Sequence, residues 1–370
     1  MNFTIEKQVL LQYLQKISVI LNKNLHLPIL NNILLNVQHG FISLTTTNID
    51  IEITVKIALT KPHSIGIITV PCRKFLQICR LLPSESIINI YLDVNKIIIK
   101  SFNVIFSLCT LSSNTFPLFP KTFKNSQISF SIPEKIFKYM IEATYFCMAK
   151  QDIRLFLNGM LFEINDNIIR TISTDGYRLA ICNLPFNNSI PSFSVIIARQ
   201  SIIELNKILS FKTDLLNIFI NNQHIIIQTQ NLTFITKLID EKFPNCSSVL
   251  DIDNNKVIEI NTKNLKNALL RISILCNEQY KGITFNIYHK KIQVISNNQE
   301  DEYAEEIIDL HYENNINKLK FSCNVHYIIA ILNVIKGDYV RFILNNPISH
   351  ITIEDTIKTF AKYIVMPLHI

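Results

Sequence analysis

Glycine is scarce. The 370 residues hold six, Gly40, Gly66, Gly159, Gly176, Gly282 and Gly337, and no two of them cluster. Walker loops and dinucleotide-binding turns need grouped glycines so that backbone N–H groups can approach a pyrophosphate. Both loops are excluded, which argues against an ATPase, a kinase or a dinucleotide-dependent dehydrogenase. The eight cysteines are scattered with no C-x-x-C. The nearest pair, Cys72 and Cys79, is two helical turns apart and reads as buried reduced thiols. The nine histidines are equally dispersed, with no H-E-x-x-H spacing, so no metal is expected. No stretch approaches the run of about 18 apolar residues that a spanning helix needs. The opening Met1-Asn2-Phe3-Thr4-Ile5-Glu6 lacks the basic-then-apolar layout of a secretion signal. The expectation is a soluble, cytoplasmic protein without cofactor.

Core material is plentiful. Hydrophobic residues make up 48% of the chain and charged ones 18%, and the length suits two or three domains. The net charge of +7 permits an anionic partner without demanding one.

The informative signal is repetition. Phe3-Thr4-Ile5, Phe130-Ser131-Ile132 and Ile258-Glu259-Ile260 are short β-prone runs spaced by about 127 and about 128 residues, each followed by an amphipathic helix. The predicted apolar stripes are Leu10, Leu14, Ile17 and Leu21; then Ile136, Phe137, Met140 and Ile141, with Pro133 suited to the first turn; then Leu265, Leu269, Ile272 and Leu275. A second helix recurs over Arg73–Arg80, Ser201–Lys207 and Val325–Ala330. Alternating runs such as Ile42–Thr45, Ile51–Thr54, Ile97–Lys100, Ile225–Gln228 and His350–Ile353 predict strands. Phe116-Pro117 and Phe243-Pro244 close the first two units, and Lys121–Gln127 and Asn245–Lys256 read as linkers. The fold class is α+β, with three repeated domains over 1–124, 129–246 and 249–370, each placing two helices against antiparallel sheets.

Positive charge gathers on the predicted helices. They carry thirteen basic residues, Lys7, Lys16, Arg73, Lys74, Arg80, Lys135, Lys138, Arg199, Lys207, Lys263, Lys266, Arg271 and Lys336, against four acidic ones, Glu6, Glu134, Glu142 and Glu204. One basic helix face is ordinarily a solvated face. The same bias in three repeats points to phosphate contact. No aromatic–basic interleaving suggests base stacking and no recognition helix suggests base-edge readout, so any nucleic acid would be held by its backbone.

Seven segments in order then resemble those of the bacterial β sliding clamps, the processivity subunits of DNA polymerase III. They are Leu27-Pro28-Ile29-Leu30, Val70–Phe75, Asn158–Glu163, Thr174–Ala180, Lys237–Asp240 with Phe243-Pro244, Ala304-Glu305-Glu306 and Tyr363–Pro367. The resemblance spans essentially the whole chain. It implies a homodimer in which two chains form a six-domain ring, helices inside and strands outside. That ring encircles duplex DNA without sequence specificity and tethers the polymerase III catalytic subunit, the clamp loader complex and other proteins bearing a clamp-binding motif. It implies no catalytic site and no membrane partner.

The resemblance also implies three sets of site residues. A partner-peptide cleft is formed by Leu157, Thr174, Gly176, Tyr177, Arg178, Leu179, Pro244, Val249, Val365, Met366, Pro367 and Leu368, with methionine as a soft wall. DNA faces Arg73, Gln151, Arg199, Lys7, Lys16, Arg80, Lys138 and Lys207. The dimer joint takes Lys74, Lys96, Lys100, Phe106, Ile274 and Leu275 together with Glu300, Glu302 and Glu305, within an acidic run that also holds Asp301 and Glu306.

The chain departs from the family pattern at named places. Asn24, Leu155, Phe156 and Gln200 stand where family members carry basic or tyrosine residues near DNA. Asn103 and Ile105 replace basic residues at the joint, and Ser248 and His369 replace them at the cleft rim. Weaker DNA contact and a shifted peptide preference are expected. Two rival readings compete. A hydrolase would use Asp152, Asp175 and Glu163 as paired carboxylates, although Asp175 fits a turn and Asp152 an ion pair with Arg154. A nonspecific DNA-binding protein would act without ring closure.

Overall fold

The β-prone runs and amphipathic stretches alternate in one order, three times over. The computed structural model describes residues 1–21, 27–120, 127–186, 190–210, 214–246, 256–277, 281–310, 318–344 and 348–368. The first repeat runs β1 (Asn2–Glu6), α1 (Lys7–Ile17), β2 (Asn32–Gln38), β3 (Phe41–Thr47), β4 (Ile51–Ala58), β5 (Gly66–Pro71), α2 (Cys72–Leu81), β6 (Ile87–Asp93), β7 (Lys96–Ser101) and β8 (Val104–Cys109). The second runs β9 (Ile128–Pro133), α3 (Glu134–Thr144), β10 (Gly159–Asn165), β11 (Ile168–Thr174), β12 (Arg178–Pro185), β13 (Phe193–Ala198), α4 (Arg199–Ile208), β14 (Leu215–Ile220), β15 (His224–Gln228) and β16 (Leu232–Ile239). The third runs β17 (Lys256–Asn261), α5 (Thr262–Ile272), β18 (Gly282–Ile287), β19 (Lys291–Asn297), β20 (Tyr303–Asp309), β21 (Leu319–Asn324), α6 (Val325–Val334), β22 (Tyr339–Leu344), β23 (Ile351–Asp355) and β24 (Ala361–Val365). Most of both expected linkers lies outside the described residues.

Strand pairing repeats as faithfully as strand order. In every repeat the first strand pairs with the sixth, the sixth with the seventh and the seventh with the eighth, which gives β1-β6-β7-β8, β9-β14-β15-β16 and β17-β22-β23-β24. The fifth, second, third and fourth make the other sheet: β5-β2-β3-β4, β13-β10-β11-β12 and β21-β18-β19-β20. All of these ladders are antiparallel. Two further ladders join repeats: β4 to β16, with Ile53 opposite Phe234, and β12 to β24, with Leu179 opposite Ile364. The fourth strand of one repeat thus takes the eighth strand of the next.

The chain divides into two compact units. One comprises Met1–Lys138 with Gln200–Leu238, the other Tyr139–Arg199 with Ile239–Ile370. Each therefore holds one whole repeat and one of the two sheets of the middle repeat.

Burial follows the two periods. In the strands it alternates, so Ile88 and Ile90 of β6 and Ile97 and Ile99 of β7 are fully buried while their neighbours reach solvent. In the helices it falls at three- and four-residue steps: Leu10, Leu14 and Ile17 in α1, and Leu265, Leu269 and Ile272 in α5. The predicted stripes need three corrections. Ile136 is 39% exposed, because one step of 100° carries it off the stripe set by Phe137, Met140 and Ile141. Pro133 closes β9 instead of opening α3. Leu21 and Leu275 fall outside their helices, which tighten into 3₁₀ turns at Ser18–Ile20 and Ser273–Leu275.

One contact locks the two helices of every repeat. The first helix's opening residue donates its backbone N–H across to the segment after the second helix: Lys7 to Ser86 O at 2.9 Å, Glu134 to Asp214 O at 2.8 Å and Thr262 to Asp338 O at 2.9 Å. The three side chains are buried and reach the same place with different chemistry. The Lys7 ammonium donates to the carbonyls of Arg80, at 3.1 Å, and Leu82. The Glu134 carboxylate accepts from the Ser210 hydroxyl at 2.8 Å and from the Ser210 N–H. The Thr262 hydroxyl donates to Gly337 O at 2.8 Å. A hydrogen bond to a charged, buried group is worth about 1.5–3 kcal/mol. Glu134→Ala is therefore expected to lower unfolding stability by about 2 kcal/mol, whereas Lys135→Ala, exposed one residue along, shifts it by under about 0.5 kcal/mol. Chemical denaturation of the two variants compares them, and equal losses would contradict the locking role.

Candidate functional site

In the second unit one face of the β13-β10-β11-β12-β24-β23 sheet carries the buried cluster Leu161, Ile172, Leu179, Ile181, Ile196 and Ile364. These buried side chains sit on alternate positions of adjacent strands, so one face receives them all. Phe156, Ile239, Phe243 and Cys246 pack on them half-buried, with the Phe156 and Phe243 rings 6.4 Å apart edge to face. Gly159 has no room for a side chain: a Cβ there would lie 2.5 Å from Ile196 Cγ2.

A tight turn borders this floor where β11 passes into β12. Asp175 Oδ1 accepts the N–H groups of Tyr177 and Arg178, each at 3.0 Å, and its Oδ2 accepts Arg178 Nε at 2.9 Å. The Thr174 hydroxyl donates to Arg178 O at 2.7 Å and accepts the Gly176 N–H at 3.0 Å. Gly176 sits at φ +90°, a conformation that a Cβ would strain. Beyond β24, Met366 donates to Tyr177 O of this turn at 2.9 Å, and Leu368 donates to Ser322 O of β21 at 2.7 Å. Tyr177 and Met366 are 65% and 44% exposed, two large side chains presented from hydrogen-bonded backbone.

Of the residues expected in the cleft, Leu157, Thr174 and Leu179 are buried in or beside this floor. Pro367 and Leu368 are half-buried, while Gly176, Tyr177, Pro244 and Met366 reach solvent. Two differ from expectation. Val365 is opposite Arg178 in the ladder and so faces away from the floor, and Ile364, opposite Leu179, takes its place. The Arg178 guanidinium is stacked 4.5 Å from the ring centroid of Tyr327 and 5.8 Å from that of Phe146. Val249, and the departures Asn24, Ser248 and His369, lie outside the described residues.

The helices carry the basic residues with two corrections. Lys336 follows the end of α6 at Val334, and Glu6 closes β1, which leaves twelve basic residues against three acidic ones. Five helices carry the twelve; α6 has no Lys or Arg. Among the residues expected to face DNA, Arg73, Arg80 and Gln151 are exposed and Lys16 is half-buried. Arg73 also donates to Leu21 O at 3.1 Å, and Gln151 holds a left-handed φ of +57°. Lys207 is paired with Glu204 at 2.9 Å. Arg199 donates to Met148 O at 2.7 Å, and burial, then the neighbouring Arg178, pulls its pKa down. Lys7 and Lys138 are the clear exceptions. The Lys7 ammonium is committed to the end of α2, and Lys138 donates to Asn206 O at 2.9 Å and Leu209 O at 2.7 Å at the end of α4. Each offsets the negative pole of a helix C-terminus instead of standing free in solvent.

The residues expected at the joint fall into two sets, one near β8 and one near β20, strands that each have one unused edge among the described residues. Among the described residues, β8 pairs only with β7, and β20 only with β19. Lys96 and Lys100 are exposed on β7, opposite Cys109 and Ile105 of β8; Phe106 is half-buried and Lys74 exposed on α2. In the third repeat Ile274 is 79% exposed and Leu275 half-buried just after α5. Glu300 and Glu302 lie in the turn before β20, their N–H groups held by Asn298 Oδ1 at 2.9 and 3.0 Å. Glu305 accepts from Tyr303 and, at 2.7 Å, from Gln293, bonds that hold its carboxyl below the usual range. Glu306 is engaged within the chain by a two-pronged Arg271 contact.

The carboxylates that a hydrolase would need are each paired with their own arginine. Asp152 takes Arg154 at 3.0 and 3.1 Å, bonds that hold its carboxyl low; Asp175 takes Arg178 and Glu163 takes Arg170 at 3.1 Å. Among the described residues no helix is long and apolar enough to cross a membrane, and no group of three or more His, Cys, Asp or Glu could hold a metal.

Comparison with known proteins gives this architecture a place. Models of the DNA polymerase III beta subunit match along the chain in order: the N-terminal domain over residues 1–120, the central domain over 131–245 and the C-terminal domain over 247–369. The beta sliding clamp of Escherichia coli K12 is 39% identical over 370 residues, and that of Buchnera aphidicola from Rhopalosiphum padi 39% identical over 368, with all of each chain covered. The crystal structure of the DNA polymerase III subunit beta from Pseudomonas aeruginosa superposes with a TM-score of 0.95 at 35% identity, covering 100% of both chains. A sliding clamp from the same organism solved with bound griselimycin also gives 0.95. Three domains of shared topology, matched over their full length, make this chain a member of the DNA polymerase III beta subunit family, the beta sliding clamps.

Proposed function

We propose that this chain is a beta sliding clamp: two copies join head to tail into a ring around duplex DNA and tether the replicative polymerase for processive synthesis. The observation that carries this reading is the strand-pairing rule. The fourth strand of one repeat takes the eighth strand of the next, at β4 with β16 and at β12 with β24. The rule leaves one fourth strand, β20, and one eighth strand, β8, with open edges. A second copy satisfies both by continuing the rule. The two edges are unlike, so the contact is heterologous and closes a ring where the rotation permits. Carboxylates on β20 and lysines on β7 beside β8 give the joint opposite charges. The domain boundaries 1–124, 129–246 and 249–370 belong to the same reading.

Inside such a ring the exposed Arg73, Arg80 and Gln151, with Lys16, Arg199 and Lys207, meet phosphates and read no bases, so the ring slides. Retention is topological and weak contacts suffice. The face carrying Leu179 and Ile364, rimmed by Tyr177 and Met366, takes short peptides of the polymerase III catalytic subunit, the clamp loader complex and other DNA-processing proteins. The protein performs no chemistry of its own, needs no cofactor, and works in the cytoplasm.

Loaded rings are expected to remain on a closed DNA circle and to leave once the circle is cut. Gel filtration of protein–DNA complexes before and after linearisation measures this, and equal loss from both forms would end the enclosure reading. Met366→Ala is expected to weaken a peptide from the polymerase catalytic subunit about five- to tenfold, from lost apolar contact, with no change in native mass. Unchanged affinity by calorimetric titration would contradict the cleft assignment.

A further inference from the structure

The floor of the cleft is not wholly apolar. Thr352 of β23 lies opposite Ile364, which lies opposite Leu179, which lies opposite Thr174. These four form one row across β23, β24, β12 and β11, on the face that carries the apolar cluster. Thr352 is 1% exposed, and its hydroxyl has no hydrogen-bond partner. His350, two residues earlier on the same alternation, is 7% exposed. Its Nδ1 is taken by the Ser349 hydroxyl at 2.9 Å, while its Nε2 has none. Thr174, at the far end of the row, shows how such a hydroxyl is ordinarily satisfied, donating to a backbone carbonyl at 2.7 Å.

Buried polar groups in native proteins are almost always hydrogen-bonded, and leaving one unpaired costs about 1–3 kcal/mol. Two orphaned groups on adjacent same-face positions are intelligible where the missing partner arrives with a ligand. Burial keeps the His350 pKa below its ordinary value, so the ring is neutral at pH 7. A neutral imidazole offers at Nε2 either a lone pair or an N–H, according to which tautomer the Ser349 contact selects. The Thr352 hydroxyl can donate or accept. A hydroxyl can donate or accept and so satisfies both groups whichever tautomer is present, and to reach them it must stand at the end of an apolar body that covers Leu179 and Ile364. A phenol meets both requirements.

We propose that His350 and Thr352 are specificity-determining residues of the cleft, which together recognise the hydroxyl of a tyrosine anchor in the docked peptide and so favour tyrosine over phenylalanine at that position. The inference rests on the peptide-cleft reading above. A site built to hydrogen-bond a hydroxyl rejects the analogue that lacks it far more strongly than an apolar pocket can separate the two. Phenylalanine would leave both floor groups unpaired, whereas tyrosine satisfies them.

The test uses the full-length protein and two synthetic peptides copied from the clamp-binding segment of the polymerase catalytic subunit, with the terminal apolar anchor replaced by tyrosine in one and phenylalanine in the other. Titration calorimetry is expected to find the tyrosine peptide bound about tenfold more tightly, a factor set by one buried hydrogen bond. Thr352→Val, which removes the hydroxyl at constant volume, and His350→Phe are each expected to shrink that ratio toward one, chiefly by weakening the tyrosine peptide. Equal affinity of the unmodified protein for the two peptides overturns the proposal, even if a variant fails to fold. A preference for tyrosine that survives in both folded variants overturns it as well, because the hydroxyl is then read elsewhere. If neither peptide nor the parent sequence binds, the cleft reading itself falls and takes this inference with it. Binding of the parent with no discrimination leaves the cleft standing and removes only the tyrosine claim.

Discussion

An unpaired β-edge is the constraint on which this structure turns. Each repeat builds two four-stranded antiparallel sheets, and each sheet ends in a row of backbone N–H and C=O groups that must find partners or be guarded. Within the chain the solution is a ladder from β4 to β16 and another from β12 to β24. Among the described residues, three repeats in series leave one fourth strand, β20, and one eighth strand, β8, without that ladder. The leftover edges differ in chemistry: β20 offers Glu305 and Glu306, while β7, beside β8, offers Lys96 and Lys100. Like edges repel, which removes the most obvious wrong pairing.

Much of the proposed cleft is positioned by the same backbone logic. The turn from β11 to β12 owes its shape to one carboxylate, one hydroxyl and one glycine: Asp175, Thr174 and Gly176. Arg178 anchors it from beneath through Asp175 and through the faces of Tyr327 and Phe146. The rim thereby combines a rigid main chain with adaptable side chains, above all Met366. That combination suits a surface that takes several peptides in turn.

The sequence made the repeats, the helix periods and the alternating strands plain, because each depends on spacings of two to four residues. What it hid depends on register and on distant partners. The resemblance named Val365 among the cleft residues, whereas the ladder puts Ile364, not Val365, on the face that carries Leu179; a shift of one residue in a strand exchanges the two faces, and local pattern cannot fix it where Ile364 and Val365 are both apolar. Charge counting treated Lys7 and Lys138 as solvent-facing cations. Their ammonium groups are tied to carbonyls about 70 residues away in sequence, at the ends of α2 and α4. Glu306 likewise joins Arg271, 35 residues distant. The absence of basic residues from α6 was visible in the sequence, and only the helix's end at Val334, two residues before Lys336, removed the apparent exception.

The contact that locks each repeat bears on folding. Three modules of one topology on a single polypeptide invite cross-docking, in which an opening helix seats against the wrong companion. At one shared backbone position this chain installs an ammonium, a carboxylate and a hydroxyl: Lys7, Glu134 and Thr262. A carboxylate brought against the carbonyls that receive Lys7 would meet only acceptors, and an ammonium brought against the Ser210 N–H would meet a donor. Exchanging the first two opening helices thus buries unsatisfied charge, whereas the Thr262 hydroxyl, able to donate or accept, is compatible with either foreign seat, so the barrier to misdocking lies between the first and second modules.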